Sequence, residues 1–355
     1  MAECNNFSKQ FRRLRLQGFS IVRQKKVAKL KSDIRNTIAE RKCLLCGKEV
    51  SSLCNSHFIP RFTLEKIDEK GMLLQSSSVL DLPEQVTELK KAVGTSNAGT
   101  FMLICRECDK QVFADYENPQ NYEKALSQQI LLQIALKNYL KYFSKRKYEI
   151  ELAKRAVAKT SNDYFRKQVK LYSLDIQEYR RMINNLYGKL KKNVNRFFEL
   201  FYFKKLNYIV PIASQTQVVL IGDLSDNLIN NIYCESSHYH LKELYLFIFP
   251  LESFSVVGMF YDLVDKRYRK FVSDFNKLEE DDKLQVINYI LLRYSEDYFL
   301  SPQIDDEIKK QIKGVVDKGS DIVSSSNAIY DALKDHSLSN RFDIPNLLDK
   351  KYAIG

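Results

Sequence analysis

Two cysteine pairs and one histidine are the residues of this sequence whose types and spacing could carry chemistry. Cys43 and Cys46 form a CxxC pair in the segment CLLCGKEVSSLCNSHFIPRF, and Cys105 and Cys108 form a second pair in ICRECDKQVFADYENP. Two such pairs can place four thiolates around one zinc ion, in the tetrahedral arrangement of structural zinc sites. The sequence therefore predicts a structural zinc site with these four ligands.

A second arrangement of zinc ligands uses the first pair together with Cys54 and His57. The spacing Cys43-x2-Cys46-x7-Cys54-x2-His57 would make a Cys3His knuckle, and the second CxxC pair would then need another partner. The four-cysteine site is preferred because it accounts for both pairs and leaves His57 free. In that interpretation Cys54 is a small buried residue, as free cysteines often are.

The segment SHFIP after the first pair resembles the DHIIP segment of HNH, or ββα-metal, endonucleases. In that family a strand carries a His followed two residues later by Ile or Val and then Pro. A helix after the second knuckle supplies ligands of a catalytic metal ion. SHFIPRF together with LICRECDKQVFADYENP is similar to a bacterial group of HNH-like proteins that read roughly S-H-I-I-P-K-F, L-C-x-x-C-E and F-x-x-x-E. The resemblance covers about residues 43–119.

The resemblance implies a role for each matching residue. His57 matches the general base, and an imidazole can take a proton from water at neutral pH. Asp109 and Glu117 match ligands of a catalytic Mg or Mn ion, with Glu117 eight residues further on and about two turns along the same helix. Asp115 is a weaker candidate ligand, and Arg61 could touch a phosphate.

The sequence departs from the family pattern at two points. Ser56 stands where the family commonly has an Asp metal ligand, and the last His or Asn of the motif is missing in its usual form. These departures support an alternative function, a non-catalytic, zinc-stabilised protein that binds nucleic acid or protein. His57 and Asp109 would then be relics of a nuclease.

The charge of the chain favours a polyanionic partner. Its 355 residues carry a formal net charge of +12, which favours nucleic acid through phosphate neutralisation. Residues 1–42 form a basic segment in which helical spacing of apolar residues predicts an amphipathic helix. It could lie along a nucleic-acid backbone, or it could be a solvated helix packed on the next domain. The basic side chains expected to contact nucleic acid are Arg12, Arg13, Lys25, Lys26 and Arg61.

Patterning along the chain predicts an α+β fold of two parts behind the basic segment. Residues 43–119 form a small zinc-stapled ββα-metal module with an insertion at about 66–99. Residues 120–355 form a larger, mostly helical domain that carries a β-sheet. Helical spacing runs from residue 122 to about residue 207, and strands are predicted in NYIVPIASQTQVVLIGDL and LYLFIFPLESFSVVGMFYDL.

The sequence also sets expectations about location and partners. The first residues are polar and charged, without the apolar run of a signal peptide, and the apolar runs are too interrupted to span a bilayer. We therefore expect a cytoplasmic protein with no membrane partner. DNA is the expected partner, ahead of RNA, and the C-terminal domain could contact another protein or a second copy. Anti-phage defence is the setting implied by the HNH resemblance.

Overall fold

The computed structural model describes residues 21–75, 91–160, 163–234, 236, 238–316 and 328–355. Helices and strands are mixed along the described chain, and short 3₁₀ turns connect several of them. The helices are α1 (Ile21–Ile38), α2 (Arg61–Ile67), α3 (Arg106–Val112), α4 (Gln128–Thr160), α5 (Asp163–Lys191), α6 (Arg269–Asn276), α7 (Glu280–Tyr294), α8 (Asp306–Val316) and α9 (Ala328–Asp335). The strands are β1 (Ser56–His57), β2 (Met72–Gln75), β3 (Lys91–Gly94), β4 (Thr100–Phe101), β5 (Phe198–Leu206), β6 (Ile212–Val218), β7 (Leu244–Pro250), β8 (Ser255–Asp262) and β9 (Tyr298–Leu300).

The described strands form a seven-stranded antiparallel sheet and a separate two-stranded ribbon. The order in the large sheet is β3-β2-β9-β6-β7-β8-β5, and the ribbon pairs β1 with β4. The hairpin β2–β3 belongs to the predicted insertion, yet it extends the sheet by pairing β2 with β9. The cysteine-bearing region and the C-terminal region therefore share one sheet.

The inner strand β7 is buried on both faces. Its residues are apolar throughout and all seven are buried. Side chains alternate between the two faces of a strand, and here Tyr245, Phe247 and Phe249 lie in one hydrophobic cluster while Leu246 and Ile248 lie in the other. An unbroken apolar run is typical of such a doubly covered strand.

The two hydrophobic clusters cover opposite faces of the sheet. One contains side chains of the cysteine-bearing region, of α4 and of one sheet face. The other contains the opposite sheet face with α6, α7 and the C-terminal segment, in which Leu347 and Leu348 are fully buried. The predicted boundary at residues 119 and 120 remains a prediction, although residues on both sides of it pack into the first cluster.

Helices α4 and α5 form the longest antiparallel pair of the described chain. They contain 33 and 29 residues, and α4 alone extends about 50 Å at 1.5 Å per residue. The first half of α4 is almost completely buried between the cysteine-bearing region and the sheet. Helix α1 packs on the second half, where Arg155 donates to Thr37 Oγ1 at 2.9 Å and Lys147 donates to the Ile38 carbonyl at 3.1 Å.

The mixed α+β fold agrees with the expectation, and so do the strands β6, β7 and β8. The helical prediction was wrong at residues 198–206, which form β5. The register with β8 shifts between Leu200 and Tyr202 because of a β-bulge. The buried residues Phe198, Tyr202 and Leu206 recur every four positions, a spacing that also suits a helix. Phe198 packs in one hydrophobic cluster and the other two pack in the second, because the bulge moves the alternation to the opposite face of the sheet.

None of the described helices combines the length and apolar composition needed to span a lipid bilayer.

Candidate active site and metal centre

The four cysteines of the two CxxC pairs meet in one cluster. The sulfur atoms of Cys43, Cys46, Cys105 and Cys108 lie within 4.8 Å of one another. The N–H of Cys105 points at Cys43 Sγ at 3.3 Å, and the N–H of Cys108 points at Cys105 Sγ at 3.5 Å. These four residues fit a structural metal ion, and zinc is the ion that four thiolates in a tetrahedral arrangement favour.

Backbone hydrogen bonds bring the two pairs together. Gly47, with a φ of +73°, closes the first turn by donating to the Cys43 carbonyl at 2.9 Å, and the left-handed region favours glycine there. The N–H of Leu44 donates to the Leu103 carbonyl at 2.9 Å, which joins the first turn to the segment that precedes the second pair. Cys105 then caps the N-terminus of α3.

The thiol pKa values of Cys43, Cys105 and Cys108 are shifted by their surroundings. Burial raises the pKa of Cys105 and Cys108. At Cys43 burial acts in the same direction, but hydrogen bonds from backbone N–H groups outweigh it and lower the pKa to about 7. A divalent ion would stabilise the thiolate forms that burial opposes at Cys105 and Cys108.

The Cys3His alternative does not match the geometry. Cys54 Sγ donates to Asp109 Oδ2 at 3.5 Å, and His57 Nε2 lies 3.2 Å from the Thr95 carbonyl oxygen. Among the described residues, the His, Cys, Asp and Glu side chains form one group suited to a metal ion, and it contains the four cysteines alone. His57 is therefore left free of the sulfur cluster, as the four-cysteine prediction requires.

His57 ends β1 and is held in one tautomer. Because the Thr95 carbonyl can only accept, His57 Nε2 carries the proton and Nδ1 carries the lone pair. The ring is half-buried, and this burial, with the charges of Lys137 and Arg61, lowers its pKa below the usual value. Near neutral pH the imidazole is therefore uncharged, the form that can accept a proton.

The carboxylates of Asp109 and Glu117 converge on a buried ammonium group, that of Lys137. Lys137 Nζ lies 2.9 Å from Asp109 Oδ1 and 3.5 Å from Glu117 Oε1. The Lys137 side chain is completely buried, whereas the side chains of Asp109 and Glu117 are 25% and 39% exposed. The carboxylates thus face solvent on one side and a lysine on the other.

The pKa of Asp109 reflects these neighbours. Burial acts to raise it, but the charge of Lys137 and a hydrogen bond from Ser56 outweigh burial, so it lies below the usual value. Ser56 Oγ donates to Asp109 Oδ1 at 2.6 Å and accepts from Lys137 Nζ at 2.8 Å. The hydroxyl at the position where the family commonly has a metal-binding Asp therefore links the lysine to the carboxylate.

The helical placement of Glu117 was wrong. Helix α3 ends at Val112, and Glu117 lies in the turns that follow, with its N–H donating to the Phe113 carbonyl at 2.9 Å. Its carboxylate still reaches the cluster through Lys137. Asp115, the weaker candidate, is exposed on the surface.

Lys137 is the residue of the cluster that the sequence interpretation missed. It lies in the apolar run ILLQIALKNYL, in which residues 130–140 are all buried. A charged residue inside such a run is expensive to bury without a counter-charge. The sequence feature that could have identified Lys137 is its position as a single lysine in this buried run. Such a lysine indicates a carboxylate partner elsewhere in the chain.

The residues predicted to contact nucleic acid fall in three places. Arg61 begins α2, is 60% exposed and pairs with Glu65 at 2.8 Å. Lys25 and Lys26 belong to α1, and Arg12 and Arg13 lie outside the described residues. The packing of α1 on α4 agrees with the alternative in which this helix is a solvated element of the fold.

No protein-family model matches the chain, and no curated protein or solved structure matches it either.

Proposed function

We propose that this chain is an HNH-like, metal-dependent endonuclease that hydrolyses phosphodiester bonds in DNA. The observation that carries the proposal is the arrangement around Lys137, where the carboxylates of Asp109 and Glu117 meet the main-chain carbonyl of His57 beside the sulfur cluster. Ser56, the neighbour of His57, is hydrogen-bonded to Asp109 although 53 residues separate them in the sequence. The resemblance to HNH nucleases implies this grouping of a histidine with carboxylates behind a zinc staple.

His57 is the general base in this proposal. Its Nδ1 takes a proton from the attacking water, while Nε2 remains bonded to the Thr95 carbonyl and fixes the ring. The lowered pKa of His57 keeps the ring unprotonated near neutral pH. Removing the imidazole should therefore abolish hydrolysis without disturbing the four sulfurs.

Two metal ions have different roles in the proposal. Zinc would be held by the four cysteines and would join the two segments that carry His57 and Asp109. A Mg or Mn ion would be held by Asp109 and Glu117, whose carboxylate oxygens are the donors that hard cations prefer. When bound, such an ion stabilises charge on the scissile phosphate and the leaving oxygen.

The substrate class follows from charge. The net charge of +12 favours a polyanion, and exposed Arg61 lies close enough to His57 to lower the pKa of His57. Arg61 would contact a phosphate next to the reacting one. DNA is proposed ahead of RNA, with the basic residues Arg12, Arg13, Lys25 and Lys26 adding contacts independent of sequence and anti-phage defence as the biological setting.

The test is cleavage of supercoiled plasmid DNA with Mg²⁺ or Mn²⁺. We expect wild-type chain to nick or linearise the plasmid and His57→Ala to lose at least about a hundredfold in rate, the usual contribution of a general base. The matched control is His336→Ala, because His336 is also half-buried and also has a ring nitrogen 3.2 Å from a backbone carbonyl. Cleavage by His57→Ala at the wild-type rate, with unchanged zinc content, would contradict the proposal.

One observation favours a second function, that of a non-catalytic zinc-stabilised binding protein. The ammonium of Lys137 already pairs with both carboxylates that the first proposal assigns to a divalent ion. In this case the chain would bind DNA or a protein partner without cutting. Wild-type chain that retards DNA in a gel but leaves plasmid intact with both Mg²⁺ and Mn²⁺ would select this function.

A further inference from the structure

The ammonium of Lys137 has an environment made of oxygen atoms. Its Nζ lies 2.8 Å from Ser56 Oγ, 2.9 Å from Asp109 Oδ1, 3.1 Å from the His57 carbonyl oxygen and 3.5 Å from Glu117 Oε1. An ammonium has three N–H donors, and the three nearest oxygens are enough to use all of them. Lys137 therefore has no free proton to offer to a substrate.

This environment is the kind that a hard divalent cation prefers. Mg²⁺ and Mn²⁺ bind carboxylate, hydroxyl and carbonyl oxygens, and these groups surround Nζ. The ring of Phe113 completes the enclosure, with its centroid 4.3 Å from the ammonium. A completely buried ammonium stays charged only where oppositely charged or hydrogen-bonding groups surround it. Lys137 therefore serves as the cation of this cluster.

We propose that Lys137 is a positioning residue that occupies the cation position of the candidate site and competes with a divalent metal ion for Asp109 and Glu117. The use of that ion in DNA hydrolysis rests on the function proposed above, but the competition itself does not. With Lys137 in place, the two carboxylates and the ammonium sum to a single negative charge. A divalent ion therefore meets half the net negative charge that the two carboxylates alone would offer.

Replacing Lys137 with a neutral side chain of similar length should create a divalent-cation site. We expect Lys137→Met to bind Mn²⁺ at least about tenfold more tightly than wild type, because a unit charge at such short range is removed. Mn²⁺ is the suitable probe since it prefers oxygen ligands, whereas four thiolates favour zinc. Binding is measured from the electron paramagnetic resonance signal of free Mn²⁺, with the zinc content of each variant determined in parallel.

Lys141 provides a matched control one helical turn further along α4. Its side chain is 14% exposed, it forms an ion pair with Asp297, and its ammonium lies over the Phe58 ring at 4.3 Å. Lys141→Met therefore also removes an inward-facing ammonium from α4, but it should leave the Mn²⁺ affinity at the wild-type value. In the double variant Lys137→Met/Asp109→Asn, the gain in Mn²⁺ affinity should disappear.

Loss of the buried ion pair can unfold the single variant, so thermal unfolding with and without Mn²⁺ gives a second measurement. An ion that binds only the folded state raises its stability. Mn²⁺ should therefore raise the Tm of Lys137→Met, or refold it, by more than it changes the Tm of wild type. The inference is overturned if Lys137→Met binds Mn²⁺ no more tightly than wild type, or stays unfolded with Mn²⁺ present.

The two proposals fail in distinguishable ways. A wild-type chain that cuts no DNA while Lys137→Met gains Mn²⁺ affinity contradicts the nuclease function and supports the competition. A wild-type chain that binds Mn²⁺ as tightly as Lys137→Met, and cuts DNA with it, contradicts the competition and supports the nuclease.

Discussion

Lys137 and Lys141 lie one turn apart on α4, and each pairs with a carboxylate from a different part of the chain. Lys137 reaches Asp109 in the cysteine-bearing region, and Lys141 reaches Asp297 in the segment before β9. Both side chains point inward from a helix that is otherwise apolar in this stretch. Buried ion pairs of this kind add little net stability compared with apolar contacts. Removing one partner lowers stability strongly, because it leaves the other charge buried without a counter-charge. They therefore fix which segments meet α4.

Glu243 gives a prediction at the level of a single residue. It accepts a hydrogen bond from the buried Tyr139 at 3.1 Å, and burial raises its pKa from 4.5 to about 7. Between these values the folded state retains a proton that the unfolded state has lost. The stability of the fold should therefore decrease as the pH rises from about 4.5 to about 7, by up to about 3 kcal/mol.

The variant Glu243→Gln keeps the hydrogen bond and removes the titration. Its urea midpoint should fall less than that of wild type between pH 5 and pH 8, and it should be the more stable of the two at pH 8. Exposed Glu123→Gln is the control, and excess zinc is kept in every sample. Parallel pH profiles for wild type and Glu243→Gln would exclude this role for Glu243.

The residues of the candidate site differ in how far the sequence predicts them. The CxxC pairs and SHFIP are local patterns, so Cys43, His57 and Asp109 could be identified without a fold. Lys137 could not be given a role, because its function depends on the rotation of α4 against segments that lie outside its own sequence neighbourhood. The sequence showed only that a lysine interrupts an apolar run.

At the scale of elements, periodicity predicted the long helical region of α4 and α5 and the strands β6, β7 and β8, and it failed where geometry is irregular. In β5 the buried residues Phe198, Tyr202 and Leu206 recur every four positions, as in a helix, and the bulge interrupts the two-residue alternation that indicates a strand. Helix α3 stops at Val112 although the acidic positions continue at helical spacing to Glu117. The pairing of β2 with β9 could not be predicted, since two short strands far apart in the chain carry no pattern that selects each other.

The two cysteine turns give a prediction at this scale. Cys105→Ser removes one sulfur from the cluster and should abolish stoichiometric zinc binding, with a clear loss of thermal stability because structural zinc contributes to folding. Cys54→Ser should retain one zinc ion per chain, since Cys54 contacts Asp109. Zinc content by a colorimetric chelator and Tm are the measurements, with Cys234→Ser as the control. Zinc lost from Cys54→Ser and retained by Cys105→Ser would restore the Cys3His alternative.

At the scale of the whole molecule, α4 and the shared sheet connect the cysteine-bearing region to the C-terminal region. Tyr116 follows α3, and its hydroxyl lies 2.6 Å from the Phe58 carbonyl and 2.7 Å from Gln215 Oε1 in β6. The strand that carries His57 is therefore tied through one buried phenol to the centre of the sheet. Cys43, Cys105 and Cys108 pack in the same hydrophobic cluster as α4 and one face of that sheet. The candidate site is built on this common core, and its geometry depends on both parts.

A common core predicts that zinc and secondary structure are lost in one transition. Three signals should share one midpoint in urea, because a cooperative unit unfolds as a whole. They are zinc release, the far-UV circular dichroism of α4 and α5, and the near-UV circular dichroism of the 21 tyrosines in this Trp-free chain. Chelation of zinc should lower that midpoint for every probe together. The chelated chain is the internal control, since it reports the helices without the metal. Zinc release at a lower urea concentration than the loss of helical signal would show instead that the stapled segments unfold alone, and that the contacts of Lys137 and Tyr116 are too weak to couple them to the sheet.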